Sequence, residues 1–231
     1  MRLFFVKDFL DLIFPRNCEL CGRTLFDGEN TLCSICVGTL PVTSYHLRAT
    51  DNDLTDKIRG LSEIGRAMAY LKFTKEGKSQ KILHKLKYKN KPQLAQELGI
   101  LYGRLLIESK CFLDWTLIVP VPLHPLKLKR RGYNQSEKFG LGLSEVLSIP
   151  LENALERKKF TETQTNKTRL ERMSNVEEVF QISPLISVAS HHVMLVDDVL
   201  TTGATMCACA NALLANKAKT VDLVTLAAGG K

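Results

Sequence analysis

The chain has 231 residues, of which 45% are hydrophobic and 24% are charged, values typical of a globular protein with a substantial core. Its formal net charge is +8, and residues 72–91 carry eight lysines against one glutamate, while residues 127–138 carry a net charge of +4. Positive charge concentrated in this way favours polyanionic partners, such as pyrophosphate groups or nucleic acid. No apolar run reaches the length of a membrane span, which argues against an integral membrane protein.

The first fifteen residues are apolar but are interrupted by charges. Leu3, Val6, Leu10 and Ile13 recur at helical spacing, which predicts an amphipathic helix packed on the protein, with a peripheral membrane contact as the alternative. The segment lacks a signal-peptide cleavage pattern and is too short to span a bilayer. We therefore expect a cytoplasmic protein without an integral membrane segment.

Four of the seven cysteines form two pairs, Cys18-x-x-Cys21 and Cys33-x-x-Cys36, with eleven residues between the pairs. Two such hairpins can present four thiolates tetrahedrally to one Zn²⁺. Residues 1–40 are therefore predicted to form a helix and a structural zinc ribbon. A redox cysteine pair or disulfide bonds are the alternatives, and a reducing compartment disfavours both.

The next segment, residues 41–65, is polar and is predicted to be a linker or hood before a main domain of residues 66–231. Alternating apolar side chains over 67–73 predict a strand, and helical periodicity predicts helices over 78–88 and 92–109. The lysines of this region are interpreted as a solvated helix face, with a pyrophosphate or nucleic-acid surface as the alternative. Few aromatic residues lie among them, so a base-stacking platform for single strands is poorly supported.

An apolar run over 117–122 predicts a strand that ends in a proline-rich loop, and a helix is predicted over 134–147. Arg130 and Arg131 in the loop are candidate forked donors to a pyrophosphate, and the N-terminus of the following helix adds to the positive field. A basic surface loop is the alternative. The three prolines of the loop favour a cis peptide bond here more than elsewhere in the chain.

The last third of the chain begins with a short strand predicted near 151–155 and a polar stretch over 157–180. An apolar run over 193–196 is typical of a strand buried on both faces. A helix over 206–215 and a strand over 220–226 are predicted to finish the chain. Because strands alternate with helices, we expect an α/β fold with a parallel sheet flanked by helices.

Asp197 and Asp198 directly follow the strand at 193–196. The loop after them is rich in small hydroxyl residues and leads into a helix: Thr201, Thr202, Gly203, Ala204 and Thr205. Ligands of open α/β sheets bind outside the carboxyl ends of strands, and backbone amides at a helix N-terminus bind anions. The pattern therefore suits a ligand with sugar hydroxyls on one side and a phosphate on the other. The alternative is an ordinary strand–turn–helix whose acids cap the helix.

This arrangement resembles the signature of type I phosphoribosyltransferases, which bind phosphoribosyl pyrophosphate (PRPP). The resemblance implies that Asp197 and Asp198 form the catalytic pair by engaging the ribose hydroxyls, and that the loop from Thr201 to Thr205 holds the 5′-phosphate. It also implies that Mg²⁺ accompanies PRPP. The loop after the strand at 117–122 would hold the pyrophosphate, through Pro122, Leu123, His124, Arg130 and Arg131.

Over nearly its whole length, the chain resembles the ComF family. The features that carry this resemblance are the four-cysteine ribbon, the stretch from Val119 to Gln135, the residues Thr163-Gln164-Thr165, Arg172, Asn175 and Phe180, and the acid-pair signature, in this order. The resemblance implies a mobile loop that closes over PRPP, with Gln164, Arg169 and Arg172 as candidates. The alternative for these residues is a solvated helix with ordinary surface charges. It also implies a role in natural transformation, with single-stranded DNA and the DNA-uptake machinery as partners.

Two functions are compatible with these residues. The first is an enzyme that transfers phosphoribosyl from PRPP to an unidentified nitrogenous acceptor, mainly by positioning and electrostatics. The second is a non-catalytic module that senses PRPP or handles single-stranded DNA. The sequence shows no candidate general base and no distinctive acceptor site, and it leaves a homo-oligomer open.

Overall fold

The computed structural model describes residues 15–110, 114–157 and 180–229. Its strands are β1 (Ala67–Lys72), β2 (Leu117–Pro120), β3 (Leu155–Arg157), β4 (Phe180–Ile182), β5 (His192–Leu200) and β6 (Thr220–Ala228). A parallel sheet has the order β1-β6-β5-β2, and β3 and β4 form a separate antiparallel pair. The predicted helix over 1–15 lies outside the described residues.

The described helices are α1 (Ser34–Gly38), α2 (Asp53–Ile58), α3 (Lys78–Tyr88), α4 (Pro92–Glu108), α5 (Pro125–Arg131), α6 (Gln135–Leu147) and α7 (Ala204–Ala215), with a 3₁₀ turn at Tyr45–Arg48. The predictions over 78–88, 92–109, 134–147 and 206–215 are confirmed to within two residues. Proline at the first position of α4 and the Asn134 cap of α6 account for two of these starts.

Both faces of the parallel sheet are covered, which explains why its strands are almost entirely buried. On one face, Tyr102 of α4 and Phe139 of α6 pack with α3 and with the cysteine-rich segment. On the other face, Leu54 of α2 and Leu213 of α7 pack with the β3–β4 pair. The predicted α/β architecture is thereby confirmed.

Two glycines allow α4 and α6 to approach closely. A Cβ on Gly99 would collide with the carbonyl oxygen of Phe139, and a Cβ on Gly142 would collide with the carbonyl oxygen of Gln96. Backbone contact of this kind requires residues without side chains at the crossing. The crossing fixes the position of α6, whose first turn reaches the functional site.

Residues 41–65 are more closely packed than a polar linker. This segment contains the 3₁₀ turn and α2, and Leu54 and Ile58 of α2 are fully buried in the core. Asn52 begins α2 with a capping box, which a purely compositional reading of this stretch overlooks. The division of the chain into 1–40, 41–65 and 66–231 stays a prediction.

The structure corrects several local predictions. Strand β5 does not end before the acids but runs through them to Leu200, paired with β6 throughout. The short strand expected near 151–155 begins at Leu155, although Leu151 forms a single bridge with Ile118. The proline-rich stretch contains α5. Every peptide bond in the described ranges is trans, so the prediction of a cis peptide bond in this loop is wrong.

Candidate functional site

The acid pair lies where two neighbouring strands send their chains to opposite faces of the sheet. After β2 the chain passes through the short helix α5 and enters α6, which covers one face, and after β5 it enters α7, which covers the other. The loops that leave β2 and β5 therefore separate and open a crevice at the carboxyl ends of these strands. Such a switch point is where open α/β sheets bind ligands.

A cleft of about 170 Å³ occupies this point. Seven of the predicted site residues line it: Pro122, Leu123, His124, Arg131, Asp197, Asp198 and Thr205. The other lining residues are Lys87, Val121, Lys127, Gln135, Ser136 and Arg157. The structure thus brings together the acid pair, one end of the hydroxyl-rich loop and the loop after β2, which are far apart in sequence.

Three contacts hold the acid pair in place. The Ser136 hydroxyl and the backbone N–H of Asp198 each donate to Asp197 Oδ1 at 2.7 Å. Lys87 Nζ lies 3.0 Å from Asp198 Oδ2, and both side chains are mostly buried. Because both bonds to Asp197 use Oδ1, Oδ2 can accept a hydrogen bond from a ligand hydroxyl.

Desolvation by the surrounding protein, and then the negative charge of Asp198, raise the pKa of Asp197 to about 7. The hydrogen bond from Ser136 and the charge of Lys87 oppose this shift without cancelling it. Near neutral pH the ligand-free pair therefore holds a proton for part of the time. A ligand that donates hydroxyl protons to these oxygens favours the doubly ionised pair.

The hydroxyl-rich loop turns sharply at Gly203 before α7 begins. Gly203 has φ +82°, and a Cβ at this position would lie 2.5 Å from Ile58 Cγ2 of α2. A glycine is therefore required both by the backbone and by the packing of the loop on α2. Thr201, Thr202, Ala204 and Thr205 are exposed around this turn, beside the first backbone amides of α7. The first of these, the Ala204 N–H, donates to the Thr202 hydroxyl at 3.5 Å.

The loop after β2 is held by Asn134. Its side-chain amide donates to the Val121 carbonyl at 3.0 Å, and its oxygen accepts from the Ser136 N–H at 3.1 Å. One residue thereby joins this loop to the first turn of α6, which also carries Ser136 toward Asp197. His124 caps the start of α5, where its Nδ1 accepts from the Leu126 N–H at 3.2 Å.

The two adjacent arginines differ in environment. Arg131 lines the cleft, and its Nη1 donates to Gln135 Oε1 at 2.7 Å. Arg130 is exposed, and its guanidinium lies 6.0 Å from the ring centroid of Tyr88. Consecutive residues of an α-helix point about 100° apart, and only Arg131 of the two predicted pyrophosphate donors lines the cleft. Gln164, Arg169 and Arg172 lie outside the described residues.

Several cleft residues escaped the sequence analysis: Lys87, Lys127, Gln135, Ser136 and Arg157. Lys87 is one of eight lysines in its stretch, and nothing in the local sequence distinguishes it from the others. Ser136 lies two residues after Asn134, the residue that caps α6. A polar residue at this position is only a weak sequence signal that the start of α6 belongs to the site. Arg157 ends β3, and its guanidinium lies 5.6 Å from the ring centroid of Phe180 in β4.

A second cavity, of about 340 Å³, adjoins the cleft and shares Lys87 with it. Phe73, Leu83 and Val199 contribute apolar surface, and the polar groups include Thr201 of the hydroxyl-rich loop. His84 and Tyr88 of α3 also line it, with ring centroids 5.0 Å apart. An apolar cavity with a few polar groups beside an anion-binding cleft suits a flat organic ligand.

The four ribbon cysteines form one cluster, with all sulfur atoms within 4.8 Å of one another. Sulfur atoms of a tetrahedral zinc site lie about 3.8 Å apart, and Cys21 Sγ and Cys33 Sγ are separated by 3.7 Å. Burial would raise the pKa of Cys18, but backbone N–H donors lower it to about 6. The cluster therefore could hold a metal ion, and its donor set fits zinc.

Comparison with known proteins agrees with this geometry. A phosphoribosyl transferase domain model matches residues 134–231, which include the acid pair, its loop and α6. Competence protein F of Haemophilus influenzae is 40% identical over 91 residues, 38% of this chain and 40% of that protein. DNA utilization protein YhgH of Escherichia coli O157:H7 is 31% identical over 232 residues, 92% of this chain and 96% of that protein.

The chain belongs to the ComF family. This assignment rests on the near full-length match to YhgH, and the cysteine cluster and the phosphoribosyl transferase domain agree with it. The predicted fold of this ComF protein, a parallel sheet flanked by helices with an N-terminal cysteine cluster that could bind zinc, is confirmed. Within the ranges that the structure describes, no helix combines the length and apolar character that a membrane span requires.

Among solved structures, the glutamine PRPP amidotransferase from B. subtilis in complex with ADP and GMP superposes with a TM-score of 0.44 and 18% identity, over 62% of this chain and 30% of that chain. The purine phosphoribosyltransferase from Pyrococcus horikoshii Ot3 superposes with a TM-score of 0.38 and 20% identity, over 58% of this chain and 73% of that chain.

Proposed function

We propose that this ComF protein binds PRPP in the cleft between the loops after β2 and β5, and transfers its phosphoribosyl group to a nitrogenous acceptor. The observation that carries the proposal is the meeting of the acid pair with Arg131 and Thr205 around one cleft. Sugar hydroxyls need acceptors and phosphates need donors, and the cleft offers both on opposite walls. The domain match over 134–231 supports the same conclusion.

The acid pair would orient the ribose. Asp197 Oδ2 and the Asp198 carboxylate accept hydrogen bonds from the two ribose hydroxyls, while Ser136 and Lys87 keep the carboxylates in position. The turn at Gly203 presents backbone amides and hydroxyl groups to the 5′-phosphate. Together these contacts fix the sugar at both ends, so that its C1 carbon faces the remaining part of the cleft.

The pyrophosphate would lie against the loop after β2. Arg131, Lys127 and Arg157 surround this part of the cleft with positive charge. Charge grows on the pyrophosphate as its bond to C1 breaks, and donors fixed in advance stabilise this charge most effectively. When bound with PRPP, Mg²⁺ would supply further neutralisation of the pyrophosphate.

The acceptor would approach from the second cavity. A nitrogen lone pair forms the new bond to C1, the bond from C1 to the pyrophosphate oxygen breaks, and pyrophosphate leaves with the bonding electrons. The acceptor nitrogen then loses its proton to solvent. Phe73, Val199 and Thr201 line the cavity that opens beside Lys87, where an acceptor with a flat ring can reach the sugar.

The binding step is tested by titration calorimetry with PRPP and Mg²⁺. We expect binding by the wild type and no measurable binding by the Asp197→Ala/Asp198→Ala variant. Equal binding by the two proteins would refute the site. The transfer step is tested by pyrophosphate release in the presence of a panel of free purine and pyrimidine bases. If PRPP binds but no base stimulates release, the PRPP-sensing alternative replaces the enzyme.

We further propose that the cysteine cluster holds one structural Zn²⁺ through Cys18, Cys21, Cys33 and Cys36. Four thiolates in one place require a cation and a reducing environment, which supports a cytoplasmic location. Metal analysis of the purified protein should give about one zinc per chain. Cys33→Ser should reduce zinc content and loosen the ribbon, and a full zinc complement in this variant would contradict the assignment.

A second candidate function is the handling of single-stranded DNA, with a role in competence and in contact with the DNA-uptake machinery. A groove of about 600 Å³ between the cysteine cluster and α3 is lined by Lys81, Lys85, Lys89 and Lys91 together with Glu19 and Glu76, so its lining has more positive than negative charge. Phosphate contacts need positive charge but no aromatic platform. The affinity for an oligonucleotide should fall steeply as salt is raised, and a salt-independent affinity would exclude these lysines. The oligomeric state can be measured in the same samples.

A further inference from the structure

The cysteine-rich segment contacts α3, the helix that carries the cleft residue Lys87. Glu19 lies between the first two cysteines, and its carboxylate contacts Lys91 Nζ at 2.8 Å and Lys85 Nζ at 3.1 Å. The Glu19 side chain is only 16% exposed. The mostly buried Glu19 carboxylate therefore joins the ribbon to α3 through Lys85, and to the residue that precedes α4 through Lys91.

The opposite side of the same helical turn contacts the cleft. Residues two apart on an α-helix point about 200° away from each other, so Lys85 and Lys87 leave α3 in nearly opposite directions. Lys87 Nζ contacts Asp198 Oδ2 at 3.0 Å. The last turn of α3 thus lies between Glu19 on the ribbon and the acid pair.

A second connection runs from this turn to the loop before α6. The Leu86 carbonyl accepts hydrogen bonds from the Tyr133 hydroxyl at 2.7 Å and from Gln135 Nε2 at 3.3 Å. Gln135 also accepts the hydrogen bond from Arg131. The last turn of α3 is therefore tied to both walls of the cleft, the acid pair through Lys87 and the pyrophosphate side through Leu86.

We propose that Glu19 is a positioning residue for the PRPP site: it fixes the last turn of α3 and thereby the places of Lys87 and Arg131. The ribbon then contributes to ligand affinity without touching the ligand. This inference rests on the proposed PRPP site. Single exposed ion pairs contribute little, but a shielded carboxylate shared by two lysines holds its element more firmly.

A purely electrostatic role predicts the opposite sign. Glu19 is an anion near a cleft for an anionic ligand, so deletion of its charge alone would strengthen PRPP binding. Loss of positioning would weaken it, because Lys87 and Arg131 would no longer be held in their places. The direction of the change in the dissociation constant therefore distinguishes the two roles.

Glu97 offers a matched control. Its carboxylate, on α4, accepts hydrogen bonds from the Thr31 N–H at 2.7 Å and from the Thr31 hydroxyl. Glu97→Ala therefore removes one negative charge and one contact between the ribbon and the main domain, as Glu19→Ala does. It leaves α3 and the cleft untouched.

The experiment compares the dissociation constant for PRPP with Mg²⁺ in the wild type, Glu19→Ala and Glu97→Ala, with zinc content and unfolding midpoint recorded for each. We expect Glu19→Ala to bind PRPP about three- to tenfold more weakly and Glu97→Ala to bind within twofold of the wild type, with zinc retained in both. Unchanged or tighter binding by Glu19→Ala, or an equal loss in both variants, would overturn the inference. Failure of the wild type to bind PRPP would instead refute the proposed function.

Discussion

Two edges of the same sheet carry carboxylates, and they are used differently. At the amino edge, Asp222 of β6 is 1% exposed, and its Oδ2 accepts from Arg66 Nε and from Trp115 Nε1, each at 2.7 Å. Arg66 also contacts Asp114 at 2.6 Å. This charge is paired within the protein and is enclosed by the elements around it.

At the carboxyl edge the carboxylates face a cleft instead. Asp197 and Asp198 have one direct cationic partner, Lys87, and further cations line the same cleft. Carboxylates of the first kind hold a fold together, whereas those of the second kind leave bonding capacity for a ligand. The carboxylate at the amino edge is therefore bonded within the protein, whereas the acid pair at the carboxyl edge keeps an oxygen available to the hydroxyls of a bound molecule.

The largest effect is expected at the amino edge. Asp222→Ala leaves Arg66 buried beside Trp115 with part of its pairing lost, which should lower the free energy of unfolding by roughly 3–5 kcal/mol. Urea unfolding measures this loss. PRPP affinity, measured at a temperature where the variant is folded, should stay within twofold of the wild type. If Asp222→Ala lost PRPP affinity without a loss of stability, Asp222 would act on ligand binding, and the proposed difference between the two edges would be wrong.

The next effect concerns pH at the carboxyl edge. Burial and the charge of Asp198 raise the pKa of Asp197 to about 7, whereas an aspartate in an unfolded chain has a pKa of about 4, so the folded protein binds the proton more tightly. This contribution to stability is complete below pH 4 and is lost as pH rises to 7, by up to about 4 kcal/mol. Asp197→Asn carries no titrating group there. Urea unfolding between pH 5 and 8 should show a smaller decline for this variant, and parallel curves would contradict the assignment.

Gly203 provides a smaller, local test. Gly203→Ala introduces a Cβ at φ +82° and against Ile58, which should cost roughly 2 kcal/mol and displace the hydroxyl-rich loop. PRPP binding should weaken about tenfold or more. Gly38→Ala is the control, because Gly38 is exposed in the cysteine-rich segment and a Cβ there meets no atom within 4 Å. Normal PRPP binding by Gly203→Ala would show that this loop does not hold the phosphate.

The smallest effect separates the neighbouring arginines. Arg131→Ala should weaken PRPP binding about tenfold, since one charge-assisted hydrogen bond to the pyrophosphate is lost. Arg130→Ala should change it by less than twofold, because Arg130 is exposed and stacks on Tyr88. Titration of both variants under the same salt conditions makes the comparison. Equal losses would indicate that general positive charge, rather than placement in the cleft, governs binding.

The sequence predicts best what is local. Asp197, Asp198 and the hydroxyl-rich loop are adjacent in the chain, so their chemistry is visible without a fold. The cysteine pairs are recognisable from their spacing for the same reason. Helices α4 and α6 are predictable from apolar periodicity because their buried faces repeat over several turns.

The remaining part of the site depends on tertiary contacts. Lys87 acquires its role from the ion pair that joins α3 to Asp198 of β5. Ser136 acquires its role from the close approach of α4 and α6 that Gly99 and Gly142 permit. Arg157 lies at the end of β3, and the antiparallel pairing of β3 with β4 places it at the cleft. No local sequence pattern predicts this pairing. The extension of β5 through the acids follows from its pairing with β6, which overrides the polar character of Asp197 and Asp198.

The most direct test of the two-edge contrast is urea unfolding with and without saturating PRPP and Mg²⁺, on the wild type, Asp222→Ala and Asp197→Asn/Asp198→Asn. Ligand that binds only the folded state raises its stability. We expect the wild type and Asp222→Ala to gain the same increment from PRPP, although the second starts from a lower stability, and the double variant to gain none. An equal PRPP-induced gain in the double variant, or its absence in the wild type, would contradict the assignment of the carboxyl edge to PRPP.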